Sequence, residues 1–260
     1  MSAGRLVVTI NGATAHIRFD NPAAYNALTH QMWLDLRDTC RTIAEDRAIR
    51  VVTFRGTGGK AFISGTDIAG FADFATGRDG VDYERGIDEC MAAVDAIPAT
   101  TIAIVEGWAV GGGLNISSAC DFRLATPDAR FGSPIGRTIG NCLSASSLAR
   151  IGGALGVQIA KRMVLLGEIM SAADLLDSGF LLQVVEPAEL DDVVGQLCRR
   201  AAENAPLTTR ATKETIRRMR HANLPNIDDL IEQVYGSADF RRGVEAFLAR
   251  TRKLPDWTGD

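Results

Sequence analysis

The chain has 260 residues, 46% of them hydrophobic, and a formal net charge of −4. That length suits one domain, or one domain with an appendage, and that composition supports a substantial core. An acidic balance argues against general nucleic-acid binding, which needs a basic surface.

Five cysteines, Cys40, Cys90, Cys120, Cys142 and Cys198, form no CxxC pair, so they read as reduced cysteines of a cytoplasmic protein. With three scattered histidines they give no metal-ligand spacing, and no metal is expected. No apolar run reaches the roughly 18 residues that span a bilayer, so no membrane partner is expected. The N-terminus shows no basic stretch followed by an apolar one, so no targeting peptide is expected.

In chain order, Leu6–Ile10 and Thr14–Phe19 flank Asn11-Gly12, a pair that accepts the positive φ angles of a tight turn, and this predicts a β-hairpin. Thr29 is placed to cap a helix whose Met32, Leu36, Cys40 and Ile43 share one face. An apolar strand, Val51–Arg55, leads into Gly56-Thr57-Gly58-Gly59-Lys60 and on through Ala61-Phe62-Ile63-Ser64-Gly65-Thr66-Asp67-Ile68. A second β-branched strand, Thr101–Val105, breaks at Gly107, and Gly111-Gly112-Gly113 then opens a helix. Glycines at such a junction let backbone N–H groups approach a ligand, and the first N–H groups of a helix lack internal partners. A carbonyl oxygen that gains negative charge would be stabilised there. The plain alternative is a tight strand-to-helix turn, and the triplet lacks the G-x-G-x-x-G spacing of a dinucleotide fold. Strands near 51–55, 101–105 and 121–125 alternate with helices up to about residue 186. That order suits a right-handed spiral of ββα turns. From Glu189 the chain becomes helical, over roughly 188–204, 207–221 and 226–250, with breaks at Asn204-Ala205-Pro206 and Asn223-Leu224-Pro225.

The two glycine-bearing segments resemble the crotonase (enoyl-CoA hydratase/isomerase) superfamily, where one reads K-A-F-x-x-G-x-D-[IL] and the other G-x-x-x-G-G-G-x-x-[IL]. The likeness begins at Asp20-Asn21-Pro22 and ends at Phe240-Arg241-Arg242-Gly243, nearly the whole chain. It implies an α/β fold, with a crotonase-like spiral core over 1–187 and a C-terminal helical region over 188–260 that serves as lid and trimer contact. It also implies an acyl-CoA thioester as substrate, with no cofactor beyond that coenzyme A, and a homotrimer or a hexamer of stacked trimers.

By motif position the thioester oxygen would lie between the N–H groups of Thr66 and Gly112. Ala24, Tyr25, Lys60, Ser64, Asp67, Ile68, Trp108, Gly111 and Ile135 fall on positions that line the substrate site. Hydratases of the family carry glutamates two residues after the Gly triplet and just past a proline; here those positions hold Asn115 and Ile135, which take no proton. Asn115 is left to orient water or substrate. Asp67 reads better as a helix cap, Glu106 as a salt-bridged residue and Asp121 as a partner of Arg123, while Asp88 and Glu89 lie on a helix that borders the acyl pocket in the family and could supply a base. The segment around Asn141 and Cys142 looks more like 4-chlorobenzoyl-CoA dehalogenases, yet neither residue replaces their aspartate nucleophile. Phosphate contacts would fall to Lys60, Lys213 or arginines near 241–253; Arg242 stands where the family often has an acidic residue. The resemblance therefore implies an enzyme working through a thioester enolate, with hydratase or isomerase chemistry first, decarboxylation or thioester hydrolysis next, and a non-catalytic acyl-CoA binder as the competing reading.

Overall fold

The structure is a computed structural model that describes residues 4–251, 255 and 257–260. The hairpin β1 (Arg5–Asn11) and β2 (Thr14–Asp20) pairs Asn11 with Thr14 across its turn, where Gly12 has φ +57°. Helix α1 (His30–Glu45) starts where the Thr29 side chain accepts the Met32 N–H at 3.2 Å, and it buries Met32, Leu36, Cys40 and Ile43.

Three ββα turns follow. The first is β3 (Val51–Gly56), β4 (Ala61–Ile63) and α2 (Gly77–Asp95), and the second is β5 (Thr100–Val105), β6 (Trp108–Val110) and α3 (Gly112–Ala119). The third is β7 (Phe122–Ala125) and β8 (Arg130–Gly132), followed by α4 (Ile135–Thr138), α5 (Ala145–Leu155) and α6 (Val157–Leu165). Then come β9 (Ile169–Ser171), α7 (Ala172–Leu176) and β10 (Gln183–Val184). The first strands of the turns join the hairpin and β10 in a six-stranded sheet, order β1-β2-β3-β5-β7-β10, parallel from β2 onward. The second strands stack with β9 in a four-stranded sheet, order β4-β6-β8-β9. The expected α/β spiral is the architecture found. The small second sheet leaves no mark in the sequence, because its three-residue strands carry no periodic signal.

Every residue of β5 is buried, as a central parallel strand covered on both faces requires. One face packs the main core, with Val52, Phe54, Ala103 and Val105. The other, with Val51, Ile102, Ile104 and Leu124, is covered by α8 (Leu190–Ala202) through Leu190, Val194 and Cys198. Helix α9 (Pro206–His221) follows, and the helix expected over 226–250 is two: α10 (Asp228–Tyr235) and α11 (Ala238–Leu248). Ser237 divides them by capping α11, its side chain accepting the Phe240 N–H at 3.0 Å. These last helices fold back over the chain's own spiral, where Ile231, Tyr235, Phe240 and Val244 bury themselves against Ile68, Phe71 and Val81. Among the described residues no helix is long and apolar enough to cross a membrane.

Candidate active site

Two turns build the site. Gly107 has φ +63°, and a Cβ there would lie 2.0 Å from the Lys60 carbonyl oxygen, so only glycine lets β6 leave β5 against the Gly56–Lys60 turn. Gly111 then takes φ +54° at the N-cap of α3, a conformation L side chains rarely adopt. Its N–H donates to the Gly132 carbonyl at 3.0 Å, which fixes the turn. Gly112 is the first residue of α3, so its N–H has no helical acceptor, and none was found for it elsewhere among the described residues.

The facing turn is set by a parallel bridge between Leu28 and Thr66. Leu28 donates to the Gly65 carbonyl at 2.9 Å, and Asp67 donates to the Leu28 carbonyl at 2.8 Å. In this bridge Gly65 and Asp67 make the bonds to Leu28, so the Thr66 N–H points to the opposite side, and it has no backbone acceptor among the described residues. The two turns touch: a Cβ built on Gly112 would lie 3.4 Å from Thr66 Oγ1 and 3.0 Å from the Trp33 ring. Trp33 Nε1 also donates to Thr66 Oγ1 at 3.3 Å, tying α1 to the turn.

Between them lies a cavity of about 160 Å³. Of the residues expected at the site, Thr66, Gly111, Gly112, Asn115, Ser64, Ile68 and Ile135 line it, together with Phe71, Tyr83, Glu84, Asn141 and Phe247. A second cavity of about 440 Å³ shares Trp33, Thr66, Phe71, Tyr83 and Ile87 with the first and is bounded by Asp67. Ala24, Tyr25, Lys60 and Trp108 are not on the wall of the smaller cavity. Ala24 is an exposed neighbour of Ser64, whose Oγ donates to its carbonyl at 3.3 Å, and Tyr25 is exposed beside it with φ +51°. Lys60 is exposed on its turn, and Trp108 points outward from β6, 43% exposed. Asp67 accepts the Ala69 N–H at 3.0 Å at the start of the 3-10 helix Ala69–Asp73.

Asn115 is buried and held by its neighbours: its Nδ2 donates to Ser147 Oγ at 3.0 Å, and its Oδ1 accepts from Arg150 Nη1 at 3.0 Å. Arg150, fully buried, reaches Asp95 Oδ2 at 2.8 Å. Burial alone would raise the Asp95 carboxyl, but the hydrogen bond with His221 and the guanidinium groups of Arg150 and Arg220 hold it at about 2. Glu106 pairs with Arg55 at 2.6 Å.

The expected Asp121–Arg123 pair is not formed. Asp121 pairs instead with Lys213 and accepts from Thr101 N at 2.7 Å, while Arg123 serves the carbonyls of Phe180 and Ser117. Of the phosphate candidates, Lys213 is held in that contact, and Arg242 is engaged by Asp239 and Asp260. Burial raises the Cys142 thiol to about 12, which leaves it un-ionised and unsuited to nucleophilic attack.

The residue that sequence reasoning missed is Glu84. It is 3% exposed, accepts from the Tyr235 hydroxyl at 2.7 Å and from Ser144 N at 3.0 Å, and burial raises its carboxyl to about 7. A signal existed: Glu84 lies three residues from Val81 and seven from Met91, on the apolar face of α2. Because the folded protein favours the protonated form, this side chain weakens the fold as pH rises from the ordinary carboxylate range through 7. Urea unfolding at about pH 5 and about pH 8 should therefore show wild type losing stability relative to Glu84→Gln across that interval; a constant difference between the two proteins would contradict this.

Known proteins resemble this chain in sequence and in fold. A family model described as enoyl-CoA hydratase/isomerase matches residues 9–260. The (E)-benzylidenesuccinyl-CoA hydratase of Thauera aromatica is 31% identical over 229 residues, 80% of each chain. A solved enoyl-CoA hydratase/carnithine racemase from Magnetospirillum magneticum is 32% identical with a TM-score of 0.79, covering 98% of this chain and 96% of its own. A solved methylmalonyl-CoA decarboxylase in complex with 2-nitronate-propionyl-CoA is 26% identical with a TM-score of 0.88, covering 98% of both chains.

Proposed function

The chain belongs to the enoyl-CoA hydratase/isomerase family, and from that premise we propose that it converts an acyl-CoA thioester through an enolate held between the N–H groups of Thr66 and Gly112. The observation that carries this reading is the pair of unspent amides, from two separate turns, bordering one small cavity. A thioester oxygen that takes on negative charge gains most from donors already in place, since they need no reorganisation as the charge develops. The positive end of α3 adds to the field at Gly112.

Two-glutamate hydration is not the reaction we assign. Asn115 and Ile135 carry no proton, and Asn115 is already bonded to Ser147 and Arg150. A reaction that makes one enolate and moves one proton at a time suits the site better, and double-bond isomerisation of an enoyl group is the first choice. Decarboxylation of a malonyl-type thioester is the second reading, favoured by the likeness to the methylmalonyl-CoA decarboxylase. There the electron pair of the breaking C–C bond would enter the same enolate as carbon dioxide leaves. Ile68, Phe71, Ile135 and Phe247 give the cavity apolar walls that would desolvate the departing carboxylate.

Incubation with 3-enoyl-CoA, crotonyl-CoA and methylmalonyl-CoA, followed by mass spectrometry, separates these readings. Conversion of the first supports isomerisation and conversion of the last supports decarboxylation. Tight binding of all three without conversion would identify a binder and contradict the assignment. Only the N–H of Thr66 is used, so Thr66→Ala should lose far less than the hundredfold or so that follows removal of an oxyanion donor. A loss of that size would show that the hydroxyl takes part.

A further inference from the structure

Building on the enolate reading, we propose that Glu84 is the proton carrier of this site, taking a proton from the carbon next to the thioester and returning it. The C–H electron pair passes into the enolate, whose oxygen stays on the Thr66 and Gly112 amides. The Glu84 carboxyl trades that proton for one from solvent before delivery to the same carbon, giving exchange, or passes it to the γ-carbon of an enoyl group, giving the isomer.

The geometry supports this assignment over a structural role. Glu84 lines the cavity that holds both amides, on the side formed by α2. Each carboxyl oxygen accepts one bond, from Tyr235 and from Ser144 N, which leaves a lone pair on each for a substrate proton. Asn141 Nδ2 donates to the Tyr235 oxygen at 3.1 Å, so the Tyr235 proton is directed at Glu84. Asp95, eleven residues along the same helix, is the contrasting case: it too is buried, but Arg150 and Arg220 contact it. Among the described residues no cation pairs with Glu84. A carboxyl buried without a cation is costly as a mere tether, since an amide would hold Tyr235 and Ser144 without that cost.

The groups facing Glu84 are Asp88 and Tyr83 on its own helix, Tyr235 from α10, and Asn141, Cys142 and Ser144 from the loop between α4 and α5. Asp88 adds a like charge that favours the protonated form, and it accepts from Ser144 Oγ at 2.7 Å. The Tyr235 hydroxyl favours the ionised form. Two environments on one helix, one holding its carboxyl ionised and the other holding a proton near neutrality, are what separate structural from acid–base duty.

The test is exchange of the α-protons of butyryl-CoA in D2O, read by mass spectrometry, with binding measured by calorimetry. Wild type should exchange at a rate that rises with pH and levels off above about pH 7. Glu84→Gln should bind equally well but exchange at least about a hundredfold more slowly, without that pH step, and Glu84→Asp should recover part of the rate. Tyr235→Phe removes the donor that favours the ionised carboxyl, so it should move the pH midpoint upward while exchange continues. Exchange in Glu84→Gln equal to wild type would overturn the assignment and leave the enolate reading standing. Butyryl-CoA bound without exchange in wild type would instead refute the enolate reading, and the role of Glu84 with it.

Discussion

Gly112→Val should lose turnover by at least about a hundredfold while keeping its circular dichroism spectrum and a normal unfolding transition. Gly112 is the first residue of α3 and has an ordinary negative φ, so a side chain there strains no backbone. Its added Cβ would come within 3.0 Å of Trp33 Cζ2 and 3.4 Å of Thr66 Oγ1, so a valine side chain would crowd the gap between the two turns where the thioester oxygen is assigned. The N–H would remain, but the carbonyl could no longer reach it. Gly113 shows why the neighbouring position is a poor substitute for this test. A Cβ there would lie 2.3 Å from the Ile63 carbonyl, so Gly113→Ala would disturb packing between α3 and β4 and confound activity with folding. Gly112→Val with undiminished turnover would contradict the proposed site.

Asp95→Ala should destabilise the protein by about 3–5 kcal/mol, because it leaves the fully buried Arg150 without its counter-charge. Asn115 Oδ1 and Ser146 Oγ are the other acceptors of Arg150, and neither is ionised. The effect should reach the site, since Arg150 holds the Asn115 amide at the base of the cavity. Arg150 and Asp95 act as a unit, so the double substitution Asp95→Leu/Arg150→Met should cost less than the sum of its parts. The Asp95 carboxyl is held well below its ordinary range, so its contribution is present above that range and is lost as pH falls towards 2. Urea unfolding of the two single variants and the double variant measures this coupling. Additive losses, or a loss under about 0.5 kcal/mol for Asp95→Ala, would show that the ion pair does not carry this part of the fold.

How far the sequence disclosed the site depended on the range of the interaction. The β1–β2 turn was legible in Asn11-Gly12, and the start of α1 in Thr29, because both are decided by neighbours a few residues away. The two glycine segments were legible for the same reason: each makes its own turn. What stayed hidden was set by distant partners. Lys213 meets Asp121 across 92 residues, and nothing in either segment distinguishes that pairing from the local one with Arg123. Glu84 was obscured by its surroundings, since Arg78, Asp79, Asp82, Arg85, Asp88 and Glu89 make the start of α2 read as a solvated face. Only the return of α10, which brings Tyr235 over Glu84 from 151 residues away, turns that position into a buried wall of the cavity.

The most direct measurement is a crystal structure with an unreactive acyl-CoA bound. The account predicts the thioester oxygen within about 2.7–3.1 Å of both Thr66 N and Gly112 N, with the α-carbon facing Glu84. A thioester oxygen bound to water or to other side chains, with either amide directed away from it, would contradict it.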